Sequence, residues 1–391
     1  MPVSLISPLL NGDQRSCTTS LCAHPSPACL DRLSRTFTIG LINNMPDTAL
    51  EATERQFVSL LESVSQDFTI NLRLYALSGI PRNELAARRI KDLYFSCDQL
   101  KTTQLDALIV TGREPLKPNL RDEPYWDSFT TVLEWAREHT ISTIWSCLAA
   151  HAAILHMDEI SRKKGDRKQC GIFSCTRVED HSLLAGAPAD FRLPHSRWNG
   201  VSKEQLSNSG YQVLTVSDHA GVDTFVKQDK SLFVFFQGHP EYGANTLLLE
   251  YRRDVSRYLR GETEVYPLLP VNYFPADVVA ALTALQQKAE QGHAEAMMVA
   301  VDEVLDTVQL SSPWNATATA IYKNWLNYLH QTKKQSLGKD ARTERSRQML
   351  SGSDAPQTDL TAYGGELGAE LSCSTPKEHA VSELSTTMFV S

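Results

Sequence analysis

Long hydrophobic runs are missing from this 391-residue chain: apolar stretches such as 107–110 and 232–236 fall far below the ~18 residues that span a bilayer. The apolar segment 3–10 has no basic flank ahead of it, since the first arginine is Arg15, so the pattern of a secretory signal is also missing and a cytoplasmic protein is expected. Cysteine is sparse. Eight in 391 residues are too few for a disulfide scaffold, and their spacing follows no zinc pattern. Cys17, Cys22 and Cys29 with His24 form the one grouping a metal could use, and they read as reduced thiols; no metal site is expected. Positive charge is in deficit as well, with 38 Lys and Arg against 46 Asp and Glu and a net charge of -8. This excludes a general polyanion-binding surface, and so nucleic acid as a partner, but leaves room for a local basic pocket around a phosphorylated molecule. No internal repeat is present.

What the chain does have is ordinary globular usage, 42% hydrophobic and 21% charged. Residues 1–35, rich in Ser, Pro and Cys, read as a loose leader. Residues 331–391, with few large apolar side chains, read as a disordered tail. Between them, over 36–330, strands and helices alternate. Strands are expected at 37–42, 68–77, 105–110, 141–145, 211–216, 224–226 and 232–236, and helices at 49–64, 125–138, 148–155 and 245–259. The helix at 49–64 carries an apolar stripe behind a capping box of Thr48 and Glu51. The pattern predicts one large α/β domain with a mostly parallel sheet flanked by helices, whose ligands sit at the carboxyl ends of the strands.

Two of those strand ends carry reactive groups. The apolar strand at 141–145 runs into Cys147, and an alanine-rich helix begins at once. Such a turn lifts a thiol above the sheet edge at a helix N-terminus, where the dipole favours thiolate. The backbone N–H of Leu148 is then placed to donate to an oxyanion. The strand at 232–236 ends in Gln237-Gly238-His239-Pro240-Glu241. Pro240 stiffens that turn, and Glu241 is within reach of the His239 ring, so the pair supplies the oriented general base that a cysteine nucleophile needs.

Together the cysteine elbow and the His-x-Glu turn resemble the class I glutamine amidotransferase-like superfamily, a three-layer flavodoxin-like fold. Within it the chain resembles the homoserine O-acyltransferases, succinyl- or acetyltransferases of methionine biosynthesis. The likeness rests on Asn44-Met45-Pro46, Thr53-Glu54-Arg55-Gln56-Phe57, Thr111-Gly112, Tyr125-Trp126, Pro194-His195-Ser196-Arg197, Gly238 to Tyr242, Arg253-Asp254-Val255, Asn272 to Pro275 and Asn324 to Tyr328, in order across 40–330. It implies that Cys147 takes the acyl group from succinyl-CoA or acetyl-CoA as a thioester, with His239 as base and Glu241 as orienter. It also implies substrate-binding roles for Lys168, Ser196 and Arg253, the last gripping an amino-acid carboxylate. No bound cofactor is implied, the acyl-CoA being a co-substrate; the other partners are small molecules and a second copy in a homodimer.

The chain departs from that pattern in places. Asp47-Thr48 follows Met45-Pro46 where the family has two lysines, and Arg113-Glu114-Pro115-Leu116-Lys117 follows Thr111-Gly112. Lys117 falls at the position tied to acyl-donor preference, and its charge favours the carboxylate of succinyl-CoA. Residues 276–308 look like a helical insertion. Lys168 closes a basic run from Arg162 that otherwise reads as a solvated loop able to meet CoA phosphates. Alternatives left open are L-serine as acceptor, a class I glutaminase-type amidotransferase, from which Trp145 and Ala149 in place of glycines point away, and a non-catalytic binding module.

Overall fold

Short runs of large apolar residues buried on both faces, such as Ala107–Val110 and Leu232–Phe236, suit the interior of a parallel sheet covered on both sides. The computed structural model describes residues 3–8, 27–292 and 296–351, and the chain divides into two units, Met1–Thr343 and Glu344–Ser391. The strands are Val3–Ile6 (β1), Thr36–Ile42 (β2), Thr69–Ala76 (β3), Tyr94–Ser96 (β4), Ala107–Val110 (β5), Ser142–Ser146 (β6), Lys163–Arg177 (β7), Asp190–Gly200 (β8), Gln212–Val213 (β9), Thr215–Ser217 (β10), Gly221–Val222 (β11), Thr224–Gln228 (β12) and Leu232–Phe236 (β13). The helices are Pro27–Ser34 (α1), Leu50–Val64 (α2), Glu84–Leu93 (α3), Trp126–His139 (α4), Leu148–Asp158 (α5), Lys203–Asn208 (α6), Thr246–Leu259 (α7), Ala276–Gln291 (α8), Met297–Asp306 (α9) and Asn315–Ser351 (α10).

The main sheet has nine strands in the order β1-β3-β2-β5-β6-β13-β12-β9, with β4 also on β3. All pairs from β1 to β13 along this order are parallel; at the far edge β12 is reversed and pairs antiparallel with both β13 and β9. Alternate side chains of each strand feed opposite layers. Ile42 joins a core with Phe129, Leu133 and Ala136 of α4 and the alanines of α5. Phe37, Ile39 and Leu41 join Phe57 and Leu61 of α2 with Trp325 and Leu329 of α10. The result is the mixed, mostly parallel sheet between helical layers that the sequence predicts. No helix among the described residues is long and apolar enough to cross a membrane.

Several local expectations differ. Residues 3–6, within the stretch read as a leader, add a parallel edge strand to β3. Helix α2 starts at Leu50 without a side-chain cap. Glu51 turns instead to Arg55 at 2.6 Å, and Asp47 ties the preceding turn to Arg82 at 3.1 Å, so Thr48 and Glu51 form no box. The strand expected at 211–216 splits at buried Leu214: β9 pairs with β12, while β10 crosses into a second sheet, β11-β10-β7-β8. That antiparallel sheet is built on a long β7–β8 hairpin, so the run from Arg162 to Lys168 is largely strand rather than loop. Residues 276–308 supply α8 and α9, which pack on α7 through Val278, Leu282, Val301 and Leu305 against Tyr251 and Val255. Past 330, where the tail was expected, residues remain helical to Ser351; residues 352–391 lie outside the described residues, as do Cys17, Cys22 and His24.

Candidate active site

Strand β6 is buried along its whole length and stops at Cys147, which stands at φ 52° and ψ -111°. A non-glycine residue at positive φ is strained and persists only where its surroundings over-determine it. Here the Cys147 N–H donates to Phe236 O at 2.7 Å, and Ala150 N and His151 N donate back to Cys147 O at 3.0 and 3.3 Å. The elbow is thus pinned to β13 on one side and to α5 on the other, with the thiol at the positive end of the helix.

The Leu148 N–H, first of α5, lies against Gly112 at the end of β5. A Cβ on Gly112 would come within 2.6 Å of Leu148 N and 2.8 Å of Leu148 Cβ, so a side chain has no room there. Asn44 holds that segment down, donating from its backbone to Thr111 Oγ1 at 2.8 Å and from Nδ2 to Thr111 O at 2.9 Å. Arg82 fixes the next residues through Met45 O at 2.5 Å and Asp47 at 3.1 Å. An aspartate where a lysine was expected therefore serves to anchor this loop.

Because β13 is the parallel neighbour of β6, with Phe236 opposite Ser146, the Gly-His-Pro-Glu turn emerges beside Cys147. His239 Nδ1 lies 2.8 Å from Glu241 Oε1, and the Ser146 hydroxyl donates to the same oxygen at 3.2 Å. With Nδ1–H committed to Glu241, Nε2 is the nitrogen left for Cys147, to which the ring is hydrogen-bonded. Burial alone would depress the His239 pKa, but the Glu241 charge and the Cys147 thiolate outweigh it and hold the ring well above its usual value. The ring also stacks on Tyr242, centroids 4.1 Å apart.

Tyr242 leads to a second cluster. Its hydroxyl donates to Glu250 Oε1 at 2.6 Å on α7, one turn before Asp254. Lys168 of β7 reaches Asp254 Oδ2 at 3.1 Å, and Arg253 Nε donates to Asp254 Oδ1 at 2.9 Å. Burial opposes the Lys168 charge, but Cys170, Asp254 and Glu250 together keep its ammonium above the usual pKa. Burial also opposes the Asp254 charge, and the two cations overcome it to hold the carboxyl low. Ser196 faces Cys170 across the hairpin and hydrogen-bonds to it, two residues from Lys168. Lys168 and Arg253 are therefore brought together on Asp254 of α7, while Ser196 stands on β8 opposite Cys170, two positions along β7 from Lys168. Lys117 is not among them. It is exposed on the segment after Gly112, and its backbone N–H donates to Glu123 at 2.7 Å.

Sequence reasoning missed Glu250 as the link between the two clusters. It also missed a fully buried trio behind the turn, Cys175, His195 and Asp223, whose ligand-type atoms lie within 4.8 Å of one another. Their donor set does not suit a cation. Arg197 Nε donates to His195 Nδ1 at 3.3 Å, and Asp223 already accepts from Thr215, Thr224 and Gly238 N at 2.9, 2.7 and 3.1 Å. The trio instead braces Gly238, where a Cβ would come within 2.7 Å of Asp223 Oδ1.

The family model described as Homoserine O-succinyltransferase matches residues 26–335. A homoserine O-succinyltransferase of Rhodopseudomonas palustris is 45% identical over 293 residues, spanning 75% of this chain and 88% of that protein. One of Bradyrhizobium japonicum is 40% identical over 325 residues, spanning 82% and 98%. Among solved structures, a glutamine amidotransferase from Methylobacillus flagellatus is similar over 75% of this chain and 95% of its own, at 13% identity and a TM-score of 0.43.

Proposed function

The chain belongs to the homoserine O-succinyltransferase family, and on that premise we propose that it transfers a succinyl group from succinyl-CoA to the hydroxyl of homoserine through a thioester on Cys147. The observation that carries this reading is the hydrogen-bonded chain from Glu241 through His239 to Cys147, set at adjacent strand ends.

The first half-reaction begins with thiolate attack by Cys147 on the carbonyl carbon of the donor thioester. The developing oxyanion is met by the Leu148 N–H at the head of α5. Collapse of the adduct breaks the C–S bond to CoA, whose sulfur takes the proton from His239. Acylation removes the Cys147 charge and its hydrogen bond, two of the causes that hold the His239 proton, so the ring becomes a base when the second half-reaction needs one. His239 then accepts the homoserine hydroxyl proton as that oxygen attacks the acyl carbon, and Cys147 leaves as thiolate. Glu241 keeps the tautomer correct and stabilises the imidazolium.

The acceptor's carboxylate belongs to Arg253, its approach governed by Lys168 and Ser196, with Asp254 and Glu250 left to meet its ammonium group. Lys117, exposed after Gly112, is the cation assigned to the free carboxylate of the succinyl group.

Intact-protein mass spectrometry with succinyl-CoA and no acceptor tests the proposal. A succinyl adduct mapping to Cys147, absent in Cys147→Ala and discharged by homoserine faster than by serine, is the expected result. A folded wild-type protein that takes no adduct from either acyl-CoA refutes it.

A further inference from the structure

One cavity beside the elbow is not used by any step above. It has a volume of about 590 Å3 and lies between the start of β7, the 198–199 end of β8, the loop at 118–120 and helix α5. That is the size of a site for a whole organic ligand, far more than an acyl group or an amino acid fills.

Its charge is one-sided. Arg162 and Lys164 line it and no carboxylate does, although the chain as a whole carries a net charge of -8. Arg162 Nη2 donates to Pro118 O at 3.3 Å, but its Nη1 is buried with no partner. At the open end Trp198 is 48% exposed, with Lys164 Nζ over one face of its ring, 5.4 Å from the centroid, which leaves the opposite face for a planar ligand. At the closed end His151 is 2% exposed and neither ring nitrogen has a partner. Burial first, then the Arg197 and Arg162 charges, push its pKa down to about 3, so the ring is neutral and offers one N–H and one lone pair. Such a pair complements a secondary amide. His151 sits one helical turn beyond Cys147 and its N–H bonds to Cys147 O at 3.3 Å, so the closed end of the cavity abuts the elbow.

We propose that this cavity holds the nucleotide and amide arm of the acyl-CoA donor, with Trp198 on the base, Lys164 and Arg162 on the phosphates, and His151 on an amide of the arm that leads to Cys147. The inference rests on the reading of the chain as a CoA-dependent acyltransferase and names where that donor lies. The basic run that opens β7 is then functional at its first residues, while Lys168 at its end serves the acceptor cluster.

The test is calorimetric titration of the full chain with CoA and, separately, with adenosine 3′,5′-diphosphate, alongside KM for succinyl-CoA and for succinyl-pantetheine, which lacks the nucleotide. Lys164→Ala and Trp198→Leu alter exposed side chains and should fold. Each is expected to weaken both nucleotide-bearing ligands about tenfold. The KM for succinyl-pantetheine should move less than twofold in both. His151→Leu removes an unpartnered buried ring and should instead raise the KM of both donors while leaving adenosine 3′,5′-diphosphate binding within twofold. Unchanged CoA binding in folded Lys164→Ala and Trp198→Leu overturns the proposal, as does equal loss of both donors in those variants. Titration needs no turnover, so a Cys147 that fails to acylate while CoA still binds here would sink the mechanism and leave this site standing.

Discussion

Gly112→Ala isolates the packing of β5 against the head of α5. The added Cβ would meet Leu148 N at 2.6 Å, Leu148 Cβ at 2.8 Å and Leu148 Cα at 3.0 Å. These are backbone atoms or atoms fixed to backbone, so no side-chain rotation relieves the contact. Restoring ordinary van der Waals separation needs roughly 0.8 Å of movement, comparable to the ~1 Å misplacement that can cost about 100-fold in rate. The movement falls on the elbow itself, displacing the Leu148 N–H that we propose meets the oxyanion. Loss of one oxyanion donor costs about 100- to 1,000-fold in kcat, and overpacking of this kind costs about 1–3 kcal/mol in stability. Rapid-quench measurement of Cys147 acylation should therefore show a fall of about 100-fold, with denaturant titration showing a folded protein of modestly reduced stability. Gly243→Ala, whose Cβ would meet nothing closer than 3.8 Å, is the control and should acylate normally. A Gly112→Ala protein that acylates within threefold of wild type would refute the reasoning, because the glycine would then have no bearing on the oxyanion donor.

Glu241→Gln removes the charge that most raises the His239 pKa after burial has lowered it, so the limb on which discharge of the acyl-enzyme rises with pH should move to lower pH. Its plateau should fall by about 1,000- to 10,000-fold because the ring loses its orienter; an unmoved limb counts against the pairing. Asp254→Asn takes the shared carboxylate from Lys168 and Arg253, and steady-state kinetics should show KM for homoserine rising about tenfold with the Cys147 acylation rate little changed. Buried His151 and His195 stay neutral in the folded chain, His151 down to about 3, whereas unfolded histidine takes a proton near 6.5. The unfolded state therefore binds more protons as pH falls, and each ring should remove up to about 1.4 kcal/mol of stability per pH unit below 6.5. Urea midpoints between pH 7 and 5 check this, with a shallower slope expected in His151→Leu. His239, shifted upward, adds no slope below about 6.5, where it is protonated in both states; its contribution is full there and is lost as pH rises from that point through its folded value.

Much of the architecture was legible in the sequence because it depends on local pattern. A strand that meets a helix at Cys147 and a stiff His-Pro-Glu turn after an apolar run are each written within a dozen consecutive residues. Hydrophobic period and turn chemistry act over that range, so the alternation of strands and helices could be read directly. The reading failed where a segment's partner decides its form. Residues 3–6 become a strand only because the edge of β3 is open to them. The run from Arg162 becomes a strand because β8 lies opposite, and Leu214 marks a break because its two flanks find different sheets.

The sequence by itself determined which residues could react: the thiol at a helix start, the histidine with a carboxylate two places on, and the cations Lys168 and Arg253. Only the tertiary structure decided that they meet. Parallel pairing of β6 with β13 puts the His239 turn beside Cys147, and the β7–β8 hairpin carries Lys168 to Asp254, next to Arg253, on α7. It alone showed Gly112 against Leu148, and a basic cavity ending at an unpartnered His151. The physical reason is that a residue's reactivity is a property of its own atoms and near neighbours in the chain. Its partners across 80 or more residues are chosen by the burial of whole sheet faces, to which every element contributes at once.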